Sequence, residues 1–384
     1  NRVHKVEFPG GKEMPTAAQT FDMSPDKKVV SGIGWLPIDK EVIYLDNVPH
    51  ANTYKPPIIK PAPGDVTEWL KLARYIFGEY AELVIQHMAF TLQHPLKKIR
   101  WQIMVVGAPR TGKSMVFRPF ANILGTAAGV VTPEHTKSGW GDMYAGRKVL
   151  LFEEVYSPES KEFANNLKTK LANDDLEYLN IKGKGQFAQQ NLYSMYLLTN
   201  HAGAIQMDKN DDKLLVLRAP DTAMDPDFYT QLAAQYEDGD LVANLYDYLL
   251  RVDVSDFKHG RLPVRTKWAE EMAHESLPDY QRAIIEMIES KSGPFEHDMF
   301  TMDKLRDELA KRKYFKVSDR NISHLLTTQG FEKIRGMKKE KGQVKVTGQH
   351  WAEAGRYQAS PSEMYDIIRK HEILVEGNSA NTPW

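Results

Sequence analysis

The sequence predicts an α/β protein whose core is a parallel β-sheet covered by helices. From Trp101 onward, short apolar runs alternate with helical stretches, and this alternation is typical of a parallel sheet with helices on both faces. One of the apolar runs leads directly into a glycine-rich loop and then into a helix. Beyond about residue 225 the pattern becomes mainly helical, so the last third is predicted to form a separate small domain.

Composition limits the classes of function. A chain of 384 residues is too long for one ordinary core, and roughly two to three domains are expected. Its 42% hydrophobic and 26% charged residues are typical of a soluble globular protein. The absence of cysteine excludes disulfides and Cys-ligated zinc. Because the net charge is only −1, any contact with nucleic acid has to come from local basic clusters.

The sequence carries no signal for secretion or for the membrane. Its N-terminus does not have the pattern of a signal peptide, and no uncharged stretch is long enough to cross a bilayer. We therefore expect a cytoplasmic protein without a membrane partner. The chain begins at Asn1 and not at Met, which suggests a fragment of a longer protein.

Six segments follow one another along the chain. Residues 1–63 are rich in proline, glycine and β-branched residues and predict a β-rich segment. Residues 64–98 predict a collar of two amphipathic helices, which begins at Asp65 and ends before Pro95. The remaining segments are a strand-and-helix core at 99–225, a helical segment at 226–290, a small domain at 291–352, and a C-terminal helix and tail at 353–384. The strands predicted in the core are Ile103–Val106, Gly129–Thr132, Val149–Phe152, Met195–Thr199 and Leu214–Leu217.

The stretch "VVGAPRTGKS" has the pattern of a phosphate-binding loop, G-x-x-x-x-G-K-[ST], placed after a strand and before a helix. Glycines let backbone N–H groups curl around phosphate oxygens, and the helix N-terminus adds partial positive charge. Lys113 would reach the β and γ phosphates of ATP, and the Ser114 hydroxyl would bind Mg²⁺. Arg110 is expected to be exposed to solvent, and Pro119 to kink or end the helix. The nucleotide-binding residues are Gly107, Ala108, Pro109, Arg110, Thr111, Gly112, Lys113 and Ser114.

Two later apolar strands end in polar residues. "KVLLFEEV" ends in Glu153 and Glu154, and adjacent carboxylates on a strand point in different directions. We assign Glu153 to the magnesium ion and Glu154 to the general base that activates water. The second carboxylate favours hydrolysis, although an acidic strand end before a helix is the alternative. "SMYLLTN" ends in Asn200, which is predicted to lie beside Glu154 and to hold the attacking water.

In their order these motifs resemble the superfamily 3 helicases, an AAA+ branch found in viruses, phages and plasmids, and above all the phage and poxvirus-type primase-helicases. The stretches "AFTLQHPLKKIRWQIMVVGAPRTGKS", "GWGDMYAGRKVLLFEEV" and "LLTNHAGAIQMDKNDDKLLVL" carry the likeness. The resemblance implies a P-loop AAA+ core, ATP hydrolysis with Mg²⁺, and a homo-hexameric ring on single-stranded or forked DNA. It also implies a primase or polymerase domain N-terminal to this chain and, for a phage protein, the host cell cytoplasm.

The resemblance assigns a role to "NIKGKGQF", which lies between the acidic strand and the Asn strand. Members of the family carry a hairpin there whose lysines project into the channel of the ring, and by position these are Lys182 and Lys184. Flanking glycines let such a tip approach a nucleic-acid backbone, and ammonium groups bind phosphates without reading bases. An exposed turn that happens to carry two lysines is the alternative.

One departure from the family concerns the residue that enters the ATP site of the neighbouring subunit. The family carries an acidic residue and then an arginine before the last core strand, whereas this chain has Asn210, Asp211, Asp212 and Lys213 there, with an aspartate where the arginine is expected. Such an arginine contributes roughly 10³ to 10⁵ in rate. Either Lys213 or Arg218 acts as the trans-acting finger, or ATP turnover is slow.

The C-terminal region resembles a winged helix. Two predicted helices, the second capped by Ser318 and stopped by Gly330, are followed by a basic hairpin. Between Phe331 and Lys345 the chain has six Lys or Arg residues and two glutamates, so Lys338, Lys339 and Lys341 are predicted DNA contacts. Winged helices that bind only protein leave the alternative of a protein-docking module.

Three functions remain open on the sequence. The preferred one is an ATP-dependent DNA helicase that translocates on single-stranded DNA in replication. The alternative is a nucleotide-dependent ring that binds DNA and loads a partner, with weak or no helicase activity, and Asp212 and Lys213 favour it. The third is a small-molecule kinase, which the paired glutamates and the lack of an arginine-rich lid disfavour.

Overall fold

The protein is described from a computed structural model. The structure describes residues 20, 22–25, 29–132, 143–156, 167, 169–171, 175–181, 185–205, 207 and 211–379. By its internal contacts the chain divides into two compact units, Asn1–Ser276 and Leu277–Trp384.

The first unit contains ten described strands and six described α-helices. The strands are β1 (Gly32–Trp35), β2 (Val42–Leu45), β3 (Val48–Asn52), β4 (Gln102–Val106), β5 (Ala128–Val131), β6 (Val149–Phe152), β7 (Leu176–Ile181), β8 (Gly185–Gln190), β9 (Ser194–Thr199) and β10 (Leu214–Arg218). The helices are α1 (Thr67–Phe77), α2 (Ala81–Gln93), α3 (Lys113–Leu124), α4 (Pro226–Glu237), α5 (Asp240–Arg251) and α6 (Lys267–Glu275).

The central sheet of this unit is parallel and has the strand order β10-β4-β9-β6-β5. Strand β9 lies between β4 and β6, so the ends of these three strands are neighbours at the carboxyl edge of the sheet. All residues of β4, β6 and β9 are buried, because helices cover the sheet on both faces. This arrangement explains why these strands appear in the sequence as unbroken apolar runs.

A second sheet, with the order β2-β3-β1-β8-β7, joins the N-terminal strands to the hairpin formed by β7 and β8. Strand β1 is parallel to both of its neighbours, β3 and β8. At Gly34 an added Cβ would lie 2.8 Å from the carbonyl oxygen of Ala188, so only glycine allows β1 to approach β8 this closely. The N-terminal strands are therefore part of the same unit as the central sheet.

One large core holds the first unit together, and it includes Trp69, Trp101 and the central strands. His87 on α2 is fully buried among them. Its ring nitrogens lie 3.0 Å from the Tyr196 hydroxyl and 3.3 Å from the carbonyl oxygen of Trp101. Burial lowers the pKa of His87 to about 3, so this histidine is a neutral core residue, as its apolar helix face predicts.

The second unit has the element order of a winged helix. Its elements are α7 (Asp279–Glu289), β11 (Met299–Thr301), α8 (Met302–Lys311), α9 (Asp319–Thr328), β12 (Phe331–Ile334), β13 (Met337–Glu340), β14 (Gln343–Val346), β15 (His350–Glu353) and α10 (Pro361–Ser379). Strands β11, β15 and β12 form an antiparallel sheet, and β13 and β14 form a separate hairpin, the wing. The Ser318 side chain caps α9, as predicted, by accepting from the backbone N–H of Asn321.

The predicted fold class is confirmed, with a parallel sheet core, flanking helices, an N-terminal β-rich segment and a winged-helix-like domain. Each predicted core strand agrees with an observed one to within a residue or two. Helix α3 continues past Pro119 to Leu124, so Pro119 does not end the helix. Within the described residues, no helix has the length and apolarity needed to cross a membrane.

Candidate functional site

The phosphate loop connects β4 to α3 at the carboxyl edge of the central sheet. Gly112 has a φ of +91°, and an added Cβ there would lie 2.9 Å from Tyr229. At Gly107 an added Cβ would lie 2.8 Å from the Cβ of Ala219. Both glycines are therefore required by the packing around the loop, and Gly112 also by its left-handed backbone. Arg110 is exposed, as predicted, and has a φ of +64°.

Lys113 is buried at the first position of α3. Its ammonium group donates hydrogen bonds to the carbonyl oxygens of Gly107 at 2.8 Å and Ala108 at 2.5 Å, and to Oδ1 of Asn200 at 3.1 Å. Burial lowers the pKa of Lys113 below its usual range. Three oxygen acceptors surround the ammonium group, which suits a protonated lysine that can exchange them for phosphate oxygens.

Glu153 and Glu154 follow directly after β6 and have different surroundings. Glu154 is exposed and has a φ of +56°, an uncommon conformation for a residue other than glycine. Glu153 is half-buried, and the Arg118 guanidinium donates to both of its carboxylate oxygens at 3.0 Å. The left-handed turn at Glu154 therefore separates the two carboxylates, so that one is paired and the other faces solvent.

Asn200 follows β9, the strand between the loop strand and the acidic strand. A hydrogen bond from the Thr199 hydroxyl to the carbonyl oxygen of Val155, 2.6 Å long, ties the end of β9 to the chain after Glu154. The backbone N–H of Val155 donates to the carbonyl oxygen of Leu198 at 2.9 Å. The sheet thus holds the Asn200 and Glu154 segments next to each other, as predicted from the order of the motifs.

The loop and the two strand ends line one open cleft of about 730 Å³. Its lining includes most of the nucleotide-binding residues proposed above together with Glu153, Glu154 and Asn200. A cleft of this size falls within the usual range for a small-molecule site. Sequence positions that are far apart in the chain therefore meet in one place, while their catalytic and binding roles remain predictions.

Ser114 and Glu153 offer a hydroxyl and a carboxylate to the same cleft. Both are hard oxygen donors of the kind that Mg²⁺ prefers. No group of three or more His, Asp or Glu side chains suited to a metal occurs among the described residues. A donor set this small fits a magnesium ion that is bound mainly through nucleotide phosphates, because Mg²⁺ at such sites uses only one or two protein ligands.

Arg118 and Tyr229 are among the cleft residues that the sequence motifs do not indicate. Arg118 lies four positions after Ser114, so the two side chains share one face of α3, and this spacing was a signal that could have identified it. Tyr229 on α4 donates from its hydroxyl to the carbonyl oxygen of Thr111 at 3.1 Å. Nothing in the local sequence around Tyr229 indicates this contact, because α4 meets the loop only through the tertiary fold.

Both candidates for the trans-acting finger have partners within this chain. Lys213 pairs with Asp212 at 3.1 Å. Arg218 pairs with Glu271 at 3.3 Å and with Asp221 at 3.4 Å, and its guanidinium also lies over the Trp268 ring. Either side chain would have to leave these partners before it could reach a neighbouring subunit.

The predicted DNA-binding lysines fall in two places. Lys182 and Lys184 lie outside the described residues, between β7 and β8, which form a regular antiparallel hairpin. On the wing, Lys338 pairs with Asp366 at 3.0 Å. Lys339 and Lys341 are exposed and have no acidic partner within the described part of the chain. The wing lysines therefore differ in how freely they can bind an external anion.

Comparison with known proteins supports the fold more strongly than any function. Residues 105–218 match a family of unknown function (DUF5906), and no curated protein matches the chain. The chain is similar to the apo structure of the NrS-1 C-terminal region (305–718), at 14% identity and a TM-score of 0.60, with 84% of each chain covered. The A form of that region gives a TM-score of 0.59 at 14% identity, with 84% of this chain and 85% of that chain covered.

A JCV helicase with a bound phenylacetamide compound is a weaker match. The matched region covers 61% of this chain and 68% of the helicase chain, at 12% identity. The TM-score of 0.31 is too low to indicate a common fold. The similarity to the NrS-1 region extends over most of the chain and therefore shows a shared fold. At 14% identity it does not by itself transfer an activity.

Proposed function

We propose that the chain is an ATP-dependent DNA helicase of the superfamily 3 type, which couples ATP hydrolysis to translocation on single-stranded DNA. The observation that carries this proposal is the meeting of Lys113, Glu153, Glu154 and Asn200 in one cleft at the carboxyl edge of a parallel sheet. A phosphate loop, a carboxylate for the metal ion and a group that activates or positions water are the parts that P-loop nucleotide hydrolases use for phosphoryl transfer to water.

The cleft residues would divide the chemistry as follows. The backbone N–H groups of the loop and the Lys113 ammonium group would bind the phosphates of ATP. Glu154 would take a proton from a water molecule whose oxygen attacks the γ phosphorus, while ADP leaves. Asn200 would orient that water. Ser114 and Glu153 would hold Mg²⁺, whose charge offsets that of the phosphates when it is bound.

DNA binding is proposed at two basic regions. The hairpin of β7 and β8 would carry Lys182 and Lys184 to a single strand, and its regular ladder supports a rigid stem for such a tip. On the wing, Lys338, Lys339 and Lys341 would contact phosphates of a fork. Neither region needs to read bases, because ammonium groups bind the backbone of any sequence.

We further propose a homo-hexameric ring with ATP bound between subunits, as the helicase part of a larger phage or plasmid primase-helicase or primase-polymerase in the cytoplasm of the host cell. Negative-stain images with ATP and single-stranded DNA should show a ring with a central hole. Monomeric particles under all nucleotide conditions would contradict this part of the proposal.

Steady-state ATPase with and without single-stranded DNA tests the motor directly. We expect DNA to stimulate turnover, and Lys113→Ala to abolish both turnover and strand separation. Strand separation that survives in Lys113→Ala would defeat the proposal.

A second function, a nucleotide-dependent ring that loads a partner onto DNA, is supported by the aspartate that stands where an arginine is expected. The intramolecular pairing of Lys213 and Arg218 also supports it. A protein of this kind would assemble with ATP but show slow turnover that DNA does not change. The ATPase measurement above therefore separates the two functions.

A further inference from the structure

Arg118 and Glu153 form a bidentate ion pair inside the candidate nucleotide cleft. Nε of Arg118 donates to Oε1 of Glu153 at 3.0 Å, and Nη2 donates to Oε2 at 3.0 Å. Both carboxylate oxygens are therefore occupied by a single guanidinium. A planar fork opposite a carboxylate is the geometry in which arginine binds most specifically.

This pair lies at the place where a metal ion would bind. Arg118 is four residues after Ser114 on α3, and both residues line the cleft together with Glu153. The oxygens that would serve Mg²⁺ are therefore the same oxygens that accept hydrogen bonds from Arg118. The guanidinium fork occupies the side of the carboxylate that faces both of its oxygens, so a metal ion that approaches from that side competes with the guanidinium.

The exposure of the pair indicates that it can be broken. The Arg118 side chain is 54% exposed and the Glu153 side chain is 16% exposed. Water competes for the exposed guanidinium, which makes this ion pair weaker than a fully buried one. A permanently buried pair would instead block the site, since the separation of two buried charges is costly. The ion pair between Arg118 and Glu153 can therefore open when another cation binds the carboxylate.

Lys113, which also lines the cleft, has acceptors from the protein as well. Its ammonium group is satisfied by two carbonyl oxygens of the loop and by Asn200. Both cations that face the cleft at these positions thus have acceptors from the protein itself. In this state the cleft needs no ligand to balance these two charges, and a nucleotide has to displace the acceptors.

We propose that Arg118 is a positioning residue that latches Glu153 in the nucleotide-free cleft and releases it when a magnesium nucleotide binds. This inference rests on the proposed function, because it assigns Glu153 to the metal ion. The latch keeps the carboxylate at the end of β6 ordered and neutralised before the metal ion arrives. It also raises the Mg²⁺ concentration that is needed to form the complex.

The test is the Mg²⁺ dependence of nucleotide binding, with no need for turnover. Thermal stabilisation by the non-hydrolysable analogue AMP-PNP is measured over a series of Mg²⁺ concentrations for the wild type and for Arg118→Gln, Arg118→Ala and Arg118→Lys. We expect Arg118→Gln and Arg118→Ala to lower the Mg²⁺ midpoint by roughly twofold to fivefold, since exposed ion pairs are weak. Arg118→Lys should lie in between because it keeps the charge but not the fork.

Two controls make the result specific. Arg74→Gln removes an arginine that pairs with Glu82 at 3.3 Å outside the cleft, and it should leave the midpoint unchanged. In a Glu153→Gln background, Arg118→Gln should cause no further shift, because the competition requires the carboxylate. If Arg118→Ala fails to fold, Arg118→Lys and Arg118→Gln still decide the outcome.

An unchanged or higher midpoint in the Arg118 variants would overturn the latch, because Arg118 would then be irrelevant to Glu153 or would help it to bind metal. Failure of the nucleotide site, the part of the proposed function on which the latch rests, gives a different result. In that case the wild type itself would show no Mg²⁺-dependent stabilisation by AMP-PNP at any concentration.

Discussion

The ammonium group of Lys113 donates a hydrogen bond to Oδ1 of Asn200 at 3.1 Å. The two residues follow adjacent parallel strands, β4 and β9, and are far apart in the sequence. This hydrogen bond links the phosphate loop directly to the strand end that carries the polar amide. A ligand that draws Lys113 toward phosphate would therefore release Asn200 at the same time, and the amide would become available to water.

Glu154→Gln should still bind ATP but lose hydrolysis. The substitution keeps the shape of the side chain and removes only the proton acceptor, and the loss of a general base lowers kcat by about 10²–10⁴. ATP binding and steady-state turnover measure the two effects separately. As a control, Glu82→Gln changes an exposed glutamate outside the cleft and should leave turnover intact. Normal turnover in Glu154→Gln would show that another group is the base.

Gly112→Ala should destabilise the phosphate loop. An alanine there would be strained at a φ of +91°, and its Cβ would lie 2.9 Å from Tyr229, so we expect a cost of about 1–3 kcal/mol. Gly239→Ala is a matched control, because Gly239 has a φ of +83° but open space around the added Cβ. Denaturant unfolding and AMP-PNP binding measure the two variants. Equal destabilisation in both would mean that the close approach to Tyr229 does not matter.

Reversal of Lys182 and Lys184 to glutamate should weaken binding to single-stranded DNA of every sequence alike. The salt dependence of binding should also flatten, by about 0.7 in log–log slope for each phosphate that the variant no longer binds. Fluorescence anisotropy at several salt concentrations measures both effects. Reversal of the exposed Lys55 and Lys60 is the control. Weaker binding to particular sequences alone would contradict an interaction with the backbone only.

The wing lysines should contribute unequally to DNA binding. Lys339→Gln and Lys341→Gln should each weaken binding, because these ammonium groups have no acidic partner in the described part of the chain. Lys338→Gln should have a smaller effect, since Asp366 already accepts from this ammonium group at 3.0 Å. Binding to forked DNA at low salt is the measurement. The prediction is wrong if Lys338→Gln weakens binding the most.

The stability of the first unit should fall as the pH falls below about 6.5. The pKa of His87 is lowered to about 3 by burial, so the unfolded chain binds a proton at this histidine in a range where the folded chain does not. The folded state is therefore favoured at pH values above the pKa that this histidine has in the unfolded chain. The free energy of unfolding should fall by roughly 2 kcal/mol between pH 6.5 and pH 5.

Urea unfolding at several pH values, for the wild type and His87→Phe, tests this assignment. The variant cannot titrate at position 87, so its free energy of unfolding should depend less on pH between 6.5 and 5. His324→Gln, at an exposed histidine on α9, should keep the slope of the wild type. An identical slope in His87→Phe would show that other groups cause the pH dependence.

Much of the fold was predictable because its signals are local. The strands of the central sheet are short apolar runs in the sequence, and the helix cap at Ser318 is visible there as well. Of the two effects expected of Pro119, the end of the helix is wrong, since α3 continues through it to Leu124. Tertiary packing around a helix can compensate for a missing N–H, and that packing is not visible in a local pattern.

The candidate site was predictable in its parts and less so in its side-chain pairings. Glycines, a lysine, two glutamates and an asparagine each follow a strand, and parallel strands present their carboxyl ends at one edge. The pairing of Arg118 with Glu153 and the hydrogen bond from Tyr229 to the loop were not predicted. These interactions join separate elements, and their geometry depends on where α3 and α4 lie against the sheet.

The sequence by itself determined which chemical groups the protein carries and on which strand ends they lie, because backbone preferences and apolar periodicity act over a few residues. The order of the motifs also predicted that the strand ending in Asn200 lies beside the strand ending in Glu154, and only the tertiary structure decided the full strand order β10-β4-β9-β6-β5. It also decided which charges are already paired, as for Arg118 with Glu153 and Arg218 with Glu271. The physical reason is that an ion pair between distant residues depends on distances of a few ångströms that only the packing of the whole unit sets.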